Sequence, residues 1–280
     1  MSFIFTNIIS NTYVNGKGII KFDGAVTMIG DEAFYKCANL SSINIPESVT
    51  IVGESVFHEC EKLKYVSIPN GVSRIEDLAF IGCISLQQFD IPQNVTHIGY
   101  SAFGSCSSLT NITIPDGVIT IDNYAFSSCK NLISLTIPKG VTTIKEGTFH
   151  GCGNLYNVIF LGEVTSICAI AFSGCDSLTS INIPSSVTTI ELKAFSECDN
   201  LTNIIIPESV TTIGDYAFAD CSNLTYVYCK STIPPKGGSK MFYGNASGRR
   251  IYVPTESVES YKAAFYWKDY ASSIGGMNFE

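Results

Sequence analysis

One interval governs this chain. Phenylalanine stands at 34, 57, 80, 103, 126, 149, 172, 195 and 218, a constant step of 23 residues. Cysteine keeps the step from Cys37 to Cys221 and leucine from Leu40 to Leu224. Proline holds it at 46, 69, 92, 115, 138, 184 and 207, and Leu161 fills the gap in that series. A unit of 23 residues is too small to bury its own apolar side. Repeated without drift, it has to stack on its copies and bury that side against them, which predicts a solenoid.

The residues within one unit say how each turn is built. In LTNIIIPESVTTIGDYAFADC, residues 201–221, Leu201, Ile204 and Ile206 alternate against Asn203 and Ile205. Alternation of this kind is a strand with one face inward. Pro207 has no N–H to give and ends the ladder. Val210 and Ile213 return to the core in a second short extended stretch. DYAFADC then fits one helical or 3-10 turn, with Ala217, Phe218 and Cys221 inward.

The pattern L-x-x-I-x-I-P-x-x-V-x-x-I-x-x-x-A-F-x-x-C resembles the 23-residue leucine-rich repeat of the BspA-like family, over about residues 17–254. The closing segment, RIYVPTESVESYKAAFYWKDYASSI, also resembles that of bacterial members. The resemblance implies a right-handed, curved solenoid with a parallel β-sheet on its concave face. Short strands and 3-10 or helical turns would form the convex side. It further implies a non-catalytic role in binding or adhesion, in proteins of the cell surface or secreted. The N-terminus, MSFIFTNIISNTYVNG, lacks the basic start and apolar centre of a signal peptide, so a cytoplasmic setting stays open as well.

Three regions are expected. Residues 1–16 would be an N-terminal cap, 17–254 the solenoid of about ten strands, and 255–280 a C-terminal helical cap. Ile20 and Phe22 read as the inward pair of a worn opening strand. Thr255 reads as a helix N-cap, and Val258, Tyr261 and Phe265 as the stripe sealing the last rung, with Trp267 beside them. An uncapped end would expose apolar core and unpaired strand edges.

Composition narrows the partners. Apolar residues are 45% of the chain and charged residues 15%, which excludes disorder. A net charge of −8 disfavours nucleic acid and anionic membranes. No apolar run approaches the ~20 residues of a membrane span. The nine cysteines on the 23-residue step read as a reduced, buried column, because equivalent side chains in a stack point in parallel. Cys229 belongs to the core and Cys168 is the thiol expected nearest solvent.

Nothing points to catalysis, a metal or a cofactor. His58 and His150 are four units apart, about 19 Å at ~4.8 Å per rung, too far to share an ion. His97 sits at another point of its unit, and all three histidines read as surface side chains. The acidic residues cluster in the turn half of the units and read as a solvated edge.

That leaves the outward strand positions. They run Asn44, Ser67, Asp90, Thr113, Thr136, Ile159, Asn182, Ile205, Tyr228, Tyr252 along the stack, and beside them Ser42, Tyr65, Gln88, Asn111, Ser134, Asn157, Ser180, Asn203, Tyr226. The N-terminal half is small and polar, whereas the C-terminal half gains Ile159, Ile205, Tyr226, Tyr228 and Tyr252. These five form the candidate ligand-binding patch, since tyrosine offers broad area with a polar tip. A monomeric protein- or glycan-binding module on a host or microbial surface is the expectation. The competing expectation is a structural spacer, or a repeat domain of a larger surface protein with no ligand of its own.

Overall fold

Alternation within each unit becomes a strand of three or four residues, whose central apolar side chain points in. In the computed structural model, which describes residues 8–14 and 17–279, these strands pair in parallel with their counterparts in neighbouring units. Ser42–Asn44 pairs with Tyr65–Ser67, Ser134–Ile137 with Asn157–Phe160, and Asn203–Ile206 with Tyr226–Cys229. Partners differ by one 23-residue unit, as in Ile205 with Tyr228. The result is a leucine-rich-repeat solenoid of about eleven turns.

A second sheet forms a second side. Its strands have two residues each, from Met28–Ile29 to Thr212–Ile213, and they too pair in parallel. Thr143–Ile144, Ser166–Ile167, Thr189–Ile190 and Thr212–Ile213 make the longest continuous run. Their isoleucines are buried and their neighbours partly exposed.

The third side departs from expectation. The stretch around each phenylalanine is a chain of turns rather than a helical or 3-10 turn. Residues two before and two after the phenylalanine take positive φ, as at Ser55 (52°) and Glu59 (54°) or Tyr216 (56°) and Asp220 (57°). Main-chain donors therefore alternate in direction. His58 N–H and Cys60 N–H bond back within the rung, to Ser55 and Phe57 carbonyls. Phe57 N–H and Glu59 N–H reach the next rung, at Ala79 and Ile81 carbonyls. A helix would turn its donors inward along its own axis and leave few for the neighbour. Left-handed backbone costs an L-residue about 1–2 kcal/mol, and Gly82, Gly151, Gly174 and Gly244 avoid that cost in their units.

Three ladders enclose one apolar column. Phe57, Phe80, Phe103, Phe126, Phe149, Phe172, Phe195 and Phe218 are fully buried. Their rings stack with centroids 5.2–5.8 Å apart, the series running from Phe34 through Phe242. Phe34, as the first ring, is only partly buried. Where a proline is missing, Leu161 is exposed and its N–H donates to Ile137 at 3.0 Å, so the ladder continues one residue further.

The two ends differ. Of the segment 1–16, the described part is the strand Ile8–Val14, which pairs antiparallel with Lys17–Phe22; residues 1–7, 15 and 16 lie outside the described residues. Ile20 does not face the core as expected: it is 43% exposed, because its strand is engaged in this hairpin. At the other end, Trp267 and Tyr261 are fully buried. Trp267 Nε1–H donates to Pro235 at 2.7 Å, and Tyr261 O–H to Ser231 at 2.9 Å. Arg249 donates to the Phe242 carbonyl at 2.7 Å, and the Tyr270 hydroxyl accepts the Phe242 N–H at 3.2 Å, so the last ring's backbone is satisfied.

Two details of this end differ from the sequence reading. Thr255 caps no helix; its hydroxyl bonds Asn278 at 2.9 Å, and the helix proper is Val258–Ala263. Phe265 is 68% exposed, because the helix stops before it and Ala264 turns to extended backbone. The chain then runs through a 3-10 segment, Trp267–Ser273, into a strand that the sequence reading missed, Ile274–Met277. That strand pairs in parallel with Arg250–Pro254 and forms the edge of the sheet.

Phe126 lies between Phe103 at 5.5 Å and Phe149 at 5.8 Å, with no solvent exposure. Phe126→Ala removes a fully buried ring from mid-column, and equilibrium denaturation should show a loss of about 3–5 kcal/mol. A loss below about 1 kcal/mol would mean that the ring contributes as a surface residue does.

Candidate interaction surface

Burial decides which side chains are available for chemistry. Eight column cysteines, Cys60 through Cys221, are buried, and each S–H donates to the phenylalanine carbonyl of the preceding rung at 3.0–3.3 Å. That carbonyl also accepts the N–H of its own rung's cysteine, so the thiol occupies its second lone pair. The column is thus polar as well as apolar, which a reading of cysteine as a small hydrophobe did not show. All cysteines are free thiols. Burial pushes Cys60 up to about 11 and Cys106 and Cys152 to about 12.

The thiol nearest solvent is Cys37, not Cys168. Cys37 sits in the first rung, and no earlier rung covers it. Cys168 is half-buried, with burial and then the Glu191 carboxylate holding its pKa up.

The histidines are half-buried rather than surface groups. His58 packs edge-on against Tyr35 and contacts Glu59 at 3.2 Å; His97 bonds the Thr96 hydroxyl at 2.8 Å; His150 meets the Ser173 carbonyl at 3.2 Å. Each is held by its own neighbours, and no group of three metal-ligating side chains converges among the described residues.

The acidic edge has a structural share that was not legible. Asp31, Asp77 and Asp215 accept the N–H groups of Glu54, Tyr100 and Ser239 in the next rung at 2.6–2.9 Å. Gly99 belongs to the same contact, since a Cβ there would stand 2.7 Å from the Asp77 nitrogen. These carboxylates staple rungs where the main chain bends.

The sheet of longer strands carries the candidate patch. Ile205, Tyr228 and Tyr252 are in register on adjacent strands and face outward, and Tyr226 and Arg250 form the row beside them. The rings of Tyr226, Tyr228 and Tyr252 lie 5.5–6.4 Å apart and near parallel. Ile205 and Tyr226 are 44% and 43% exposed. Ile159 is equally exposed but stands apart: its strand pairs with Ser134–Ile137 in another sheet, and the rung of Asn182, where no strand forms, lies between it and Ile205. The structure therefore brings four of the five predicted residues together.

A groove of about 700 Å³ flanks this patch, bordered by Ile205, Glu208, Lys230, Glu256 and Met277. The polar hollow at the opposite end, between Ser42 and Asp90, holds about 410 Å³. Among the described residues no helix is long and apolar enough to cross a membrane.

Comparison with known proteins bears on this geometry. BspA type leucine-rich repeat regions, in six copies, match residues 27–156 and 142–271. The chain belongs to the BspA-type leucine-rich-repeat family. A leucine-rich repeat protein of T. pallidum is 33% identical, covering 56% of this chain and 73% of its own, with a TM-score of 0.52. One from Eubacterium ventriosum is 25% identical over 72% of this chain and 64% of its own, with a TM-score of 0.51. No curated protein matches the chain.

Titration of the native protein with a thiol reagent at pH 8 should label Cys37 first and Cys168 slowly. The other thiols should react only on unfolding, since they are buried away from the reagent. Rapid labelling of more than two sites in the folded state would contradict the buried column.

Proposed function

We propose that this chain is a non-enzymatic binding or adhesion module that presents its outward sheet face to a protein or glycan at a host or microbial surface. The observation that carries this reading is the tyrosine cluster. Tyr226, Tyr228 and Tyr252 stand exposed or half-exposed on neighbouring strands with their rings 5.5–6.4 Å apart, whereas other exposed apolar side chains such as Ile51, Ile84 and Ile119 come from separate places along the stack. Large aromatic side chains with polar tips are the groups over-represented where partners bind. Tyr228 and Tyr252 occupy the column that Asn44, Ser67 and Asp90 fill at the other end, and Tyr226 the column of Ser42, Tyr65 and Gln88, so the repeat itself does not call for three tyrosines side by side. Placement on the cell surface or in the medium follows from the setting that the family resemblance implies.

Binding to matrix and cell-surface extracts, measured with the parent and two double variants, tests the reading. Tyr228→Ala with Tyr252→Ala should weaken capture by about thirtyfold or more, the loss expected for a contact worth about 2 kcal/mol. Ser67→Ala with Thr113→Ala should leave it unchanged, and both variants should unfold like the parent. Equal capture by all three would move the contact off this face.

A further inference from the structure

We propose that the outer flank of Tyr252 is a stacking slot for one acidic sugar ring of a glycan, such as a sialic or uronic acid. The inference deepens the sheet-face reading above and rests on it.

The geometry starts from register. Tyr228 and Tyr252 stack at 5.5 Å, 16° from parallel, and Ile205 lies on the far side of Tyr228. On the other side, the residue level with Tyr252 is Gly275 in the edge strand Ile274–Met277. The row therefore reads Ile205, Tyr228, Tyr252, then nothing above the backbone. One side chain is missing from the series, and the space it leaves is one strand spacing wide, ~4.8 Å, which suits a single ring lying against Tyr252.

Gly275 is not explained by the fold. Its φ is ordinary, and a Cβ there would meet nothing within 4 Å. Its neighbour Gly276 is different: a Cβ would come within 3.1–3.3 Å of Thr255, so that glycine is a packing requirement. A β-branched residue at 275 would suit the strand better. Glycine there weakens the edge and keeps the Tyr252 face uncovered.

The slot has one aromatic wall and a backbone floor and is open above, since a Cβ at 275 would meet nothing within 4 Å. A protein hot spot prefers an enclosed, desolvated pocket. A pyranose needs one flat apolar wall for its C–H face and water or hydroxyls around its rim, which is what Tyr252 with the neighbouring Tyr228 and Tyr226 supplies. Charge selects among sugars. Glu208, Lys230 and Glu256 border the groove beside Ile205 and Met277. The outward residues of the four strands include Asn203, Ile205, Tyr226, Tyr228, Arg250, Tyr252, Gly275 and Met277, and Arg250 is the single charge among these. On a chain of net charge −8, this basic position lies two residues from Tyr252 on the same strand face, and a guanidinium pairs a carboxylate bidentately.

The test uses the full chain and titrates 3′-sialyllactose, a hyaluronan tetrasaccharide and neutral lactose by calorimetry or saturation-transfer NMR. At least one acidic probe should bind, and lactose at least tenfold more weakly. Gly275→Val plugs the slot without strain and should lose at least tenfold in affinity for the acidic probe, with unfolding unchanged. Arg250→Gln should erase the preference for acidic over neutral sugar while Tyr252 still stacks. The slot is overturned if no acidic probe binds the parent, if lactose binds as well, or if Gly275→Val binds like the parent. A protein captured through Tyr228 and Tyr252 at full strength by Gly275→Val, with no sugar bound, would end this inference and keep the sheet-face reading. Loss of capture together with absence of sugar binding would end both.

Discussion

Main-chain hydrogen bonding from each rung to the next, on all three sides of the solenoid, is the constraint from which the remaining features follow. Each ladder requires a residue and its counterpart one unit later to hold the same conformation at the same height. That requirement holds the step at 23 residues from Phe34 to Phe218 and turns every position into a column, and the one step of 24 residues, from Phe218 to Phe242, keeps both the ring stack and the strand pairing. It also decides the turn side. A helix satisfies its own donors and would break the third ladder, so the chain accepts two left-handed residues per unit to keep alternate N–H groups pointing along the stack. The aromatic column and the thiol column fill what the ladders enclose.

A stack of this kind has a problem at its ends. The C-terminal end solves it with side chains that mimic the missing rung: Trp267 and Tyr261 cover the rings, while Arg249 and Tyr270 take the hydrogen bonds that a further rung would have taken. The guanidinium of Arg249 sits over the Phe242 and Tyr270 rings at 5.6 and 4.9 Å, held by stacking as much as by its carbonyl partner. In the first rung, by contrast, Phe34 and Leu40 remain partly exposed and Cys37 exposed.

Because the scaffold copies itself, individuality can enter only at positions that face away from the core, or where a column is interrupted. The tyrosine cluster is the first kind. The edge strand with Gly275 is the second: a column of large side chains that stops one rung early. The proposed binding surface lies where both coincide.

The 23-residue step determined the solenoid, the strand facing and the burial of phenylalanine, leucine and cysteine, because periodicity fixes which side chains share a column whatever the detailed backbone. Residue type alone also marked Ile205, Tyr226, Tyr228 and Tyr252 as outward and large. Other features needed the third dimension. Left-handed turns instead of helical ones, thiols bonded to carbonyls 26 residues earlier and carboxylates stapling adjacent rungs all depend on contacts between units, which no single unit encodes. The detachment of Ile159, the exposure of Ile20 and Phe265, and the final strand Ile274–Met277 depend on where ladders break and ends fold back. Local pattern is silent there, since the same residues could pair or project depending on which strand reaches them first. Which tyrosines meet, and that the last of them faces a glycine, was settled by strand register across three rungs.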